Sequence, residues 1–220
     1  MRLDPAALIR IAPFALYVLF VALRPILGPL LGPALPWSYA LQIGAVMLVL
    51  AWAMPRCEEL WQNAGVSFQS AMLALAIGLI VFLAWIRLDL RWLSFGQDAS
   101  FEPPMRDGMP DYAWLIIRIF GAAMVVPVME ELFWRSFVMR WIDATDFRAH
   151  PPARVSLKAV LLSSLVFGFE HQMWFAGFVA GLAYAWLYRR GNLWLSIIAH
   201  AATNLALGIY VVTTEQWRFW

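Results

Sequence analysis

The chain has 220 residues, is 63% hydrophobic and 14% charged, and carries a formal net charge of +2. Its mean hydropathy is +0.70, whereas soluble domains are about half apolar; this excludes an ordinary soluble domain and predicts a polytopic membrane protein. The basic residues are scattered over the loops without a run, which excludes a nucleic-acid surface.

Seven spans are predicted, at 7–27, 37–54, 70–88, 112–142, 157–172, 174–190 and 192–213. In the first, the apolar run IAPFALYVLFVAL follows Arg2 and Arg10 and resembles a signal peptide. No A-x-A-like site follows it directly, so it is read as a retained membrane helix, with a cleaved signal as the alternative. The stretches RPILGPLLGPALP, PRCEELWQNAGVSFQ and DLRWLSFGQDASFEPPMRDGMPD break the first four spans, and the last of these is predicted to be a solvated loop. Cys57 is the only cysteine, so no intrachain disulfide forms; it reads as a packing residue, with palmitoylation as the alternative. No strand-period pattern is present, which argues against a barrel.

The fourth span is longer than a bilayer requires, and Pro127 interrupts it. On a regular α-helix this proline frees the carbonyl of Ala123 and predicts a kink. In the sixth span, Gly177 and Gly181 form a G-x-x-x-G pattern, read as close helix packing. Ser163 and Ser164 read as packing residues too.

The fold class is therefore all-α: a polytopic transmembrane bundle of about seven helices with an intramembrane polar cavity. Residues 1–111 read as N-terminal helices and loops, 112–213 as a helical core and 214–220 as a tail. Inner segments hold Arg2, Arg10, Arg56, Arg140, Arg148, Arg154, Lys158, Arg189 and Arg190; outer ones hold Arg24, Arg87, Arg91, Arg106 and Arg218. That asymmetry predicts a cytoplasmic N-terminus.

The charges inside the fourth span need an explanation, because each charged residue at a bilayer centre costs about 2.5–3.5 kcal/mol on insertion scales. Glu131 and Arg135 are i and i+4, share a face and are predicted to pair. Glu130 lies about 100° around the helix and is left free. Two further polar clusters follow: Phe167-Gly-Phe-Glu-His171, and His200 with Asn204 one turn later. His150 reads as a solvated loop residue, and Arg118 as snorkelling or paired, without chemistry. Each cluster alone has a structural reading as ion pair, packing histidine or interhelical glue. Together, a carboxylate, two imidazoles and an amide on three spans have the parts for hydrolysis. The carboxylate would act as general base on water, an imidazole would hold that water, and the second imidazole and the amide would donate to the oxyanion. No nucleophile elbow supplies a covalent route.

The order Glu130-Glu131-x-x-x-Arg135, then Phe167-x-x-x-His171, then His200-x-x-x-Asn204 resembles the CPBP (Abi) family of intramembrane proteases. This is the family of type II CAAX prenyl endopeptidases and bacteriocin-processing proteins. The resemblance covers about residues 112–213. It implies that Glu130 and His171 activate water, that His200 and Asn204 form the oxyanion hole, and that Glu131 and Arg135, with Phe167, support the site. It implies no cofactor, a membrane-associated protein or peptide substrate with or without lipidation, and the lipid bilayer as environment. The arginine-dominated, short-looped chain is expected in a bacterial inner membrane. Two rival readings remain: a zinc site built from Glu130, His171 and His200, and a non-enzymatic immunity or proton-relay protein.

Overall fold

The computed structural model describes residues 4–62, 64–95 and 102–220. These form helices α1 (Pro5–Leu31), α2 (Ser38–Ala53), α3 (Phe68–Arg87), α4 (Tyr112–Asp143), α5 (Leu157–Phe169), α6 (Trp174–Tyr188) and α7 (Leu193–Thr214). Four stretches are long and apolar enough to cross a membrane: Pro5–Arg56, which joins α1 to α2, and then α3, α4 and α7. Helices α5 and α6 are apolar but shorter.

Asp4 caps α1 by accepting the Ala6 N–H at 2.9 Å. The helix runs through Pro13, Pro25 and Pro29 to Leu31, beyond the end predicted at residue 27. Helical hydrogen bonding is the cheapest state for backbone without water, and it carries the chain past these prolines. Gly32, at φ 49°, ends the helix and leads into a 3₁₀ segment, Gly32–Trp37. The loop before α4 contains a short hairpin that pairs Met105–Arg106 with Met109–Pro110. Asp107 and Gly108 both have positive φ at its turn, as a two-residue Asp-Gly hairpin requires.

Helix α7 runs through the bundle beside α3, α4 and α6, while α5 lies along α6 and α1 along α2. The two glycines of α6 permit the second of these contacts. A Cβ at Gly181 would stand 2.9 Å from the Ser164 Cβ, and one at Gly177 would stand 3.0 Å from the Gly168 Cα. Ser163 and Ser164 are wholly buried, as packing residues should be.

Helix α4 is not regular. Gly121–Val125 and Leu132–Val138 are wound as π-turns around the short α-helical segment Val126–Glu131. The Val126 N–H reaches back five residues to the Gly121 carbonyl. In that register the N–H missing at Pro127 frees the carbonyl of Ala122, not that of Ala123 expected for a regular helix.

One end of the bundle is tied by a polar knot that no sequence pattern announced. Arg10 grips Glu59 with Nε donating to Oε1 at 2.7 Å and Nη2 donating to Oε2 at 2.6 Å. The Ser136 hydroxyl also bonds Glu59, and Arg140 donates to Ser136 Oγ at 2.9 Å. Both guanidiniums lie against the Phe147 ring. Burial acts to raise the Glu59 carboxyl, but the Arg10 guanidinium outweighs it and holds the group below the usual carboxylate range. A carboxylate lowered on folding stabilises the fold fully above its unfolded value of about 4.3 and loses that contribution as pH falls through the folded value. Glu59→Gln leaves buried Arg10 without its counter-ion and is expected to cost about 3 kcal/mol at neutral pH. Thermal melts should show the gap from wild type closing below about pH 4; a pH-independent gap would mean the ion pair contributes nothing.

Candidate active site

The three polar clusters come from three elements: the middle of α4, the turn that ends α5, and α7. A cavity of about 180 Å³ inside the bundle is lined by Glu130, His171, His200 and Asn204 together. Aromatic side chains, including Tyr17, Tyr39, Trp85, Tyr184 and Trp220, complete much of its wall.

Glu131 and Arg135 are both wholly buried, with Arg135 Nε 3.2 Å from Glu131 Oε2. The contact is ionic but not aligned as a hydrogen bond, and the guanidinium lies 4.7 Å over the Phe167 ring. Glu131 has a second partner that helical spacing could not disclose: His200 Nδ1 stands 3.0 Å from Oε1. Nδ1 donates to the carboxylate, which turns Nε2 toward Glu130, 3.9 Å from Oε2. The His200 ring is stacked on Tyr184 at 4.8 Å, and the Tyr184 hydroxyl donates to Thr203 at 2.8 Å. His200 is thus fixed on one ring nitrogen and one face.

Glu130 differs from its neighbour. It is buried, and its Oε2 has no hydrogen-bond partner. His171 is held from the other side by its own turn: Nδ1 lies 2.9 Å from the Phe167 carbonyl and donates to it, leaving Nε2 as an acceptor. Trp85 and Phe167 rings pack against the His171 imidazole. Among the described residues, His171 makes no ion contact with Glu130, so the imidazole within 4 Å of this carboxylate is that of His200. Asn204 donates from Nδ2 to the Ala122 carbonyl at 2.8 Å. That carbonyl is the one freed by Pro127 in the π register, so one amide hydrogen satisfies the break in α4 and the other is left for the cavity.

Among the described residues, no group of three His, Cys, Asp or Glu side chains stands as a metal-ligand set. His150 is not simply solvated: its Nε2 lies 3.5 Å from Asp143 Oδ2, at the end of α4.

The family model described as type II CAAX prenyl endopeptidase Rce1-like matches residues 112–206. The chain carries an Rce1-like domain. The match starts with α4, passes through α5 and α6 and ends within α7, and it contains all three motifs. The Rce1-like proteins are a protease family, which supports a CAAX-type intramembrane protease in general kind, and the long apolar helices support an integral membrane protein. No curated protein and no solved structure matches the chain.

Within the Rce1-like domain, the structure adds residues that the sequence did not single out. Trp134 donates to Glu170 at 2.9 Å, which brings a third carboxylate to the neighbourhood of Arg135. Tyr184 and Thr203 brace His200 from α6 and α7. Glu170 sits inside the quoted Phe167–His171 motif and was legible there; Tyr184 carried no pattern of its own.

Proposed function

We propose that this protein hydrolyses a peptide bond of a membrane-associated substrate with water activated by Glu130, without a covalent intermediate and without metal. One observation carries the reading: Glu131 has Arg135 at 3.2 Å and accepts a hydrogen bond from His200, while adjacent Glu130 lines the cavity with no hydrogen bond on Oε2 and with His200 Nε2 3.9 Å away. A buried carboxylate oxygen without a hydrogen bond is costly unless it has work to do.

In this reading a water sits between Glu130 and the free Nε2 of His171. Glu130 takes its proton as the oxygen attacks the carbonyl carbon, and the proton passes to the leaving amine nitrogen. Asn204 donates its remaining amide hydrogen to the oxyanion. A donor role for His200 requires a proton on Nε2 as well as Nδ1; the Glu131 carboxylate at 3.0 Å balances the charge of that ring. The aromatic wall limits water, which strengthens each of these interactions. In this reading the N-terminus lies in the cytoplasm, on the arginine distribution already given, and the arginine-dominated, short-looped chain lies in a bacterial inner membrane.

The test is incubation of purified protein with membrane peptides, with cleavage mapped by mass spectrometry in the presence and absence of a strong chelator. Cleavage unaffected by chelator is expected. Activity that chelator removes and zinc restores would overturn the metal-free route, and no cleavage of any peptide would overturn the proteolytic reading. Asn204→Ala is expected to keep substrate affinity and to lose about 10²–10³ in kcat. A variant with full kcat would remove Asn204 from the oxyanion hole and leave it only as the cap of Ala122.

A further inference from the structure

The polar knot around Glu59 opens into a second cavity, of about 170 Å³, that none of the motif residues lines. Arg10, Glu59 and Arg140 of the knot form part of its wall, and Glu58, Arg148 and Tyr188 join them. Three guanidiniums against two carboxylates leave the cavity one positive charge. Glu59 is gripped by Arg10, whereas Arg148 is exposed and enters no ion pair among the described residues. Tyr188 is 1% exposed, and its hydroxyl is buried without a hydrogen-bond partner. The Ser136 hydroxyl beside it is already spent. It donates to Glu59, and it accepts from Arg10 Nε at 3.1 Å and from Arg140 Nη2 at 2.9 Å. A hydroxyl has one donor and two lone pairs, so nothing is left for Tyr188. The cavity lies where α4 and α6 end and α1 and α7 begin. Exposed tryptophans mark the same end: Trp52 and Trp61 close α2 and its turn, and Trp141 and Trp186 close α4 and α6. Tryptophan gathers at the head-group level of a bilayer.

We propose that this cavity binds the phosphate of a monoanionic phosphodiester, such as the head group of an anionic phospholipid. The charge matches: a phosphodiester neutralises the one excess cation, whereas a phosphate monoester dianion would leave a negative charge over. Arg148 offers its planar fork to the two non-bridging oxygens, and the Tyr188 hydroxyl donates to one of them. A tetrahedral group takes donors from the rim and from the buried wall together; a planar carboxylate takes them best in its own plane. The height in the bundle matches as well, because the cavity sits at the tryptophan level, where lipid phosphates lie. A ligand held there would join α1 and the turn carrying Glu58 and Glu59, which lie outside the Rce1-like match, to the ends of α4 and α6 within it. The site is independent of the proteolytic reading.

The experiment follows thermal unfolding of the full chain, delipidated in a nonionic detergent, as dioctanoyl phosphatidylglycerol or dioctanoyl phosphatidylcholine is added. A ligand of the folded state raises Tm in proportion to its affinity. Phosphatidylglycerol is expected to act at concentrations roughly 10–100-fold lower than phosphatidylcholine, the worth of a hydrogen-bonded charge. Arg148→Gln should erase that preference, and Tyr188→Phe should weaken it about 10-fold. Without lipid both variants should unfold close to the wild type, because Arg148 holds no partner and phenylalanine keeps the Tyr188 ring. Arg189→Gln, exposed at the same end but outside the cavity, should change nothing. Glycerophosphoglycerol, the same head group without acyl chains, separates the sources. If it matches phosphatidylglycerol and responds to the same variants, the site stands and belongs to soluble phosphodiesters; if it is far weaker, the site stands and belongs to the lipid. Equal shifts with both lipids, including no shift with either, overturn the proposal, as does a preference that survives Arg148→Gln. A preference lost equally in Arg189→Gln would reduce it to diffuse surface charge and overturn it too. Should Tyr188→Phe fail to fold, Arg148→Gln decides alone.

Discussion

Glu130→Gln is expected to abolish cleavage while leaving the bundle at least as stable as the wild type. Glutamine keeps the shape of the side chain and removes the base. Loss of a general base costs about 10²–10⁴ in rate, and here the base also positions the attacking water, so turnover should fall to background. Stability should move the other way. Glu130 is buried, its Oε2 is unpartnered, and its nearest basic neighbour is His200 Nε2 at 3.9 Å. Replacing a buried carboxylate that has no hydrogen bond on Oε2 with a neutral amide removes a desolvation penalty. The paired measurement is thermal unfolding in detergent beside a cleavage assay. A stable, inactive variant is the signature of a group kept for chemistry rather than for packing. Undiminished cleavage would show that another group is the base, and a collapse in stability would make Glu130 a structural residue.

How far the sequence carried the site can be judged from single residues. The pairing of Glu131 with Arg135 was legible because it depends only on helical spacing, and that spacing survives even where α4 enters its second π-turn. Convergence of Glu130, His171, His200 and Asn204 was legible because polar groups in an apolar bundle must find one another. The second partner of Glu131 was not legible, because His200 lies 69 residues away and only the packing of α7 on α4 brings it there. The π-turns left no mark either. Pro127 announced a break, but the carbonyl it frees is set by whether the helix counts back four residues or five. That one-residue difference is what gives Asn204 its bond to Ala122. The hairpin at Asp107-Gly108 falls in a stretch read only as a solvated loop, although Asp-Gly is a dipeptide whose local conformation is well specified. The knot around Glu59 joins three distant segments and had no local signal at all.

Arg135→Ala is expected to destabilise the fold by about 3–5 kcal/mol, the cost of breaking a buried pair from one side. Glu131 is wholly buried and would keep only its bond to His200. The truncation also removes a guanidinium packed over Phe167 and near Tyr184, so those rings lose a face. Activity should fall as well, because the carboxylate that orients His200 would lose its fixed neighbour. Charge and packing separate in a second variant. Arg135→Met fills much of the volume, and combined with Glu131→Gln it removes both charges at once. If the destabilisation comes from an orphaned buried carboxylate, the double variant should be more stable than Arg135→Met alone, a coupling of about 0.5–3 kcal/mol. It should remain impaired in catalysis, because a neutral amide on His200 Nδ1 no longer balances a doubly protonated ring. Additive effects on stability would mean that Glu131 and Arg135 act independently. Full activity in the double variant would show that His200 needs no charged partner, and the support role assigned to this pair would fall with it.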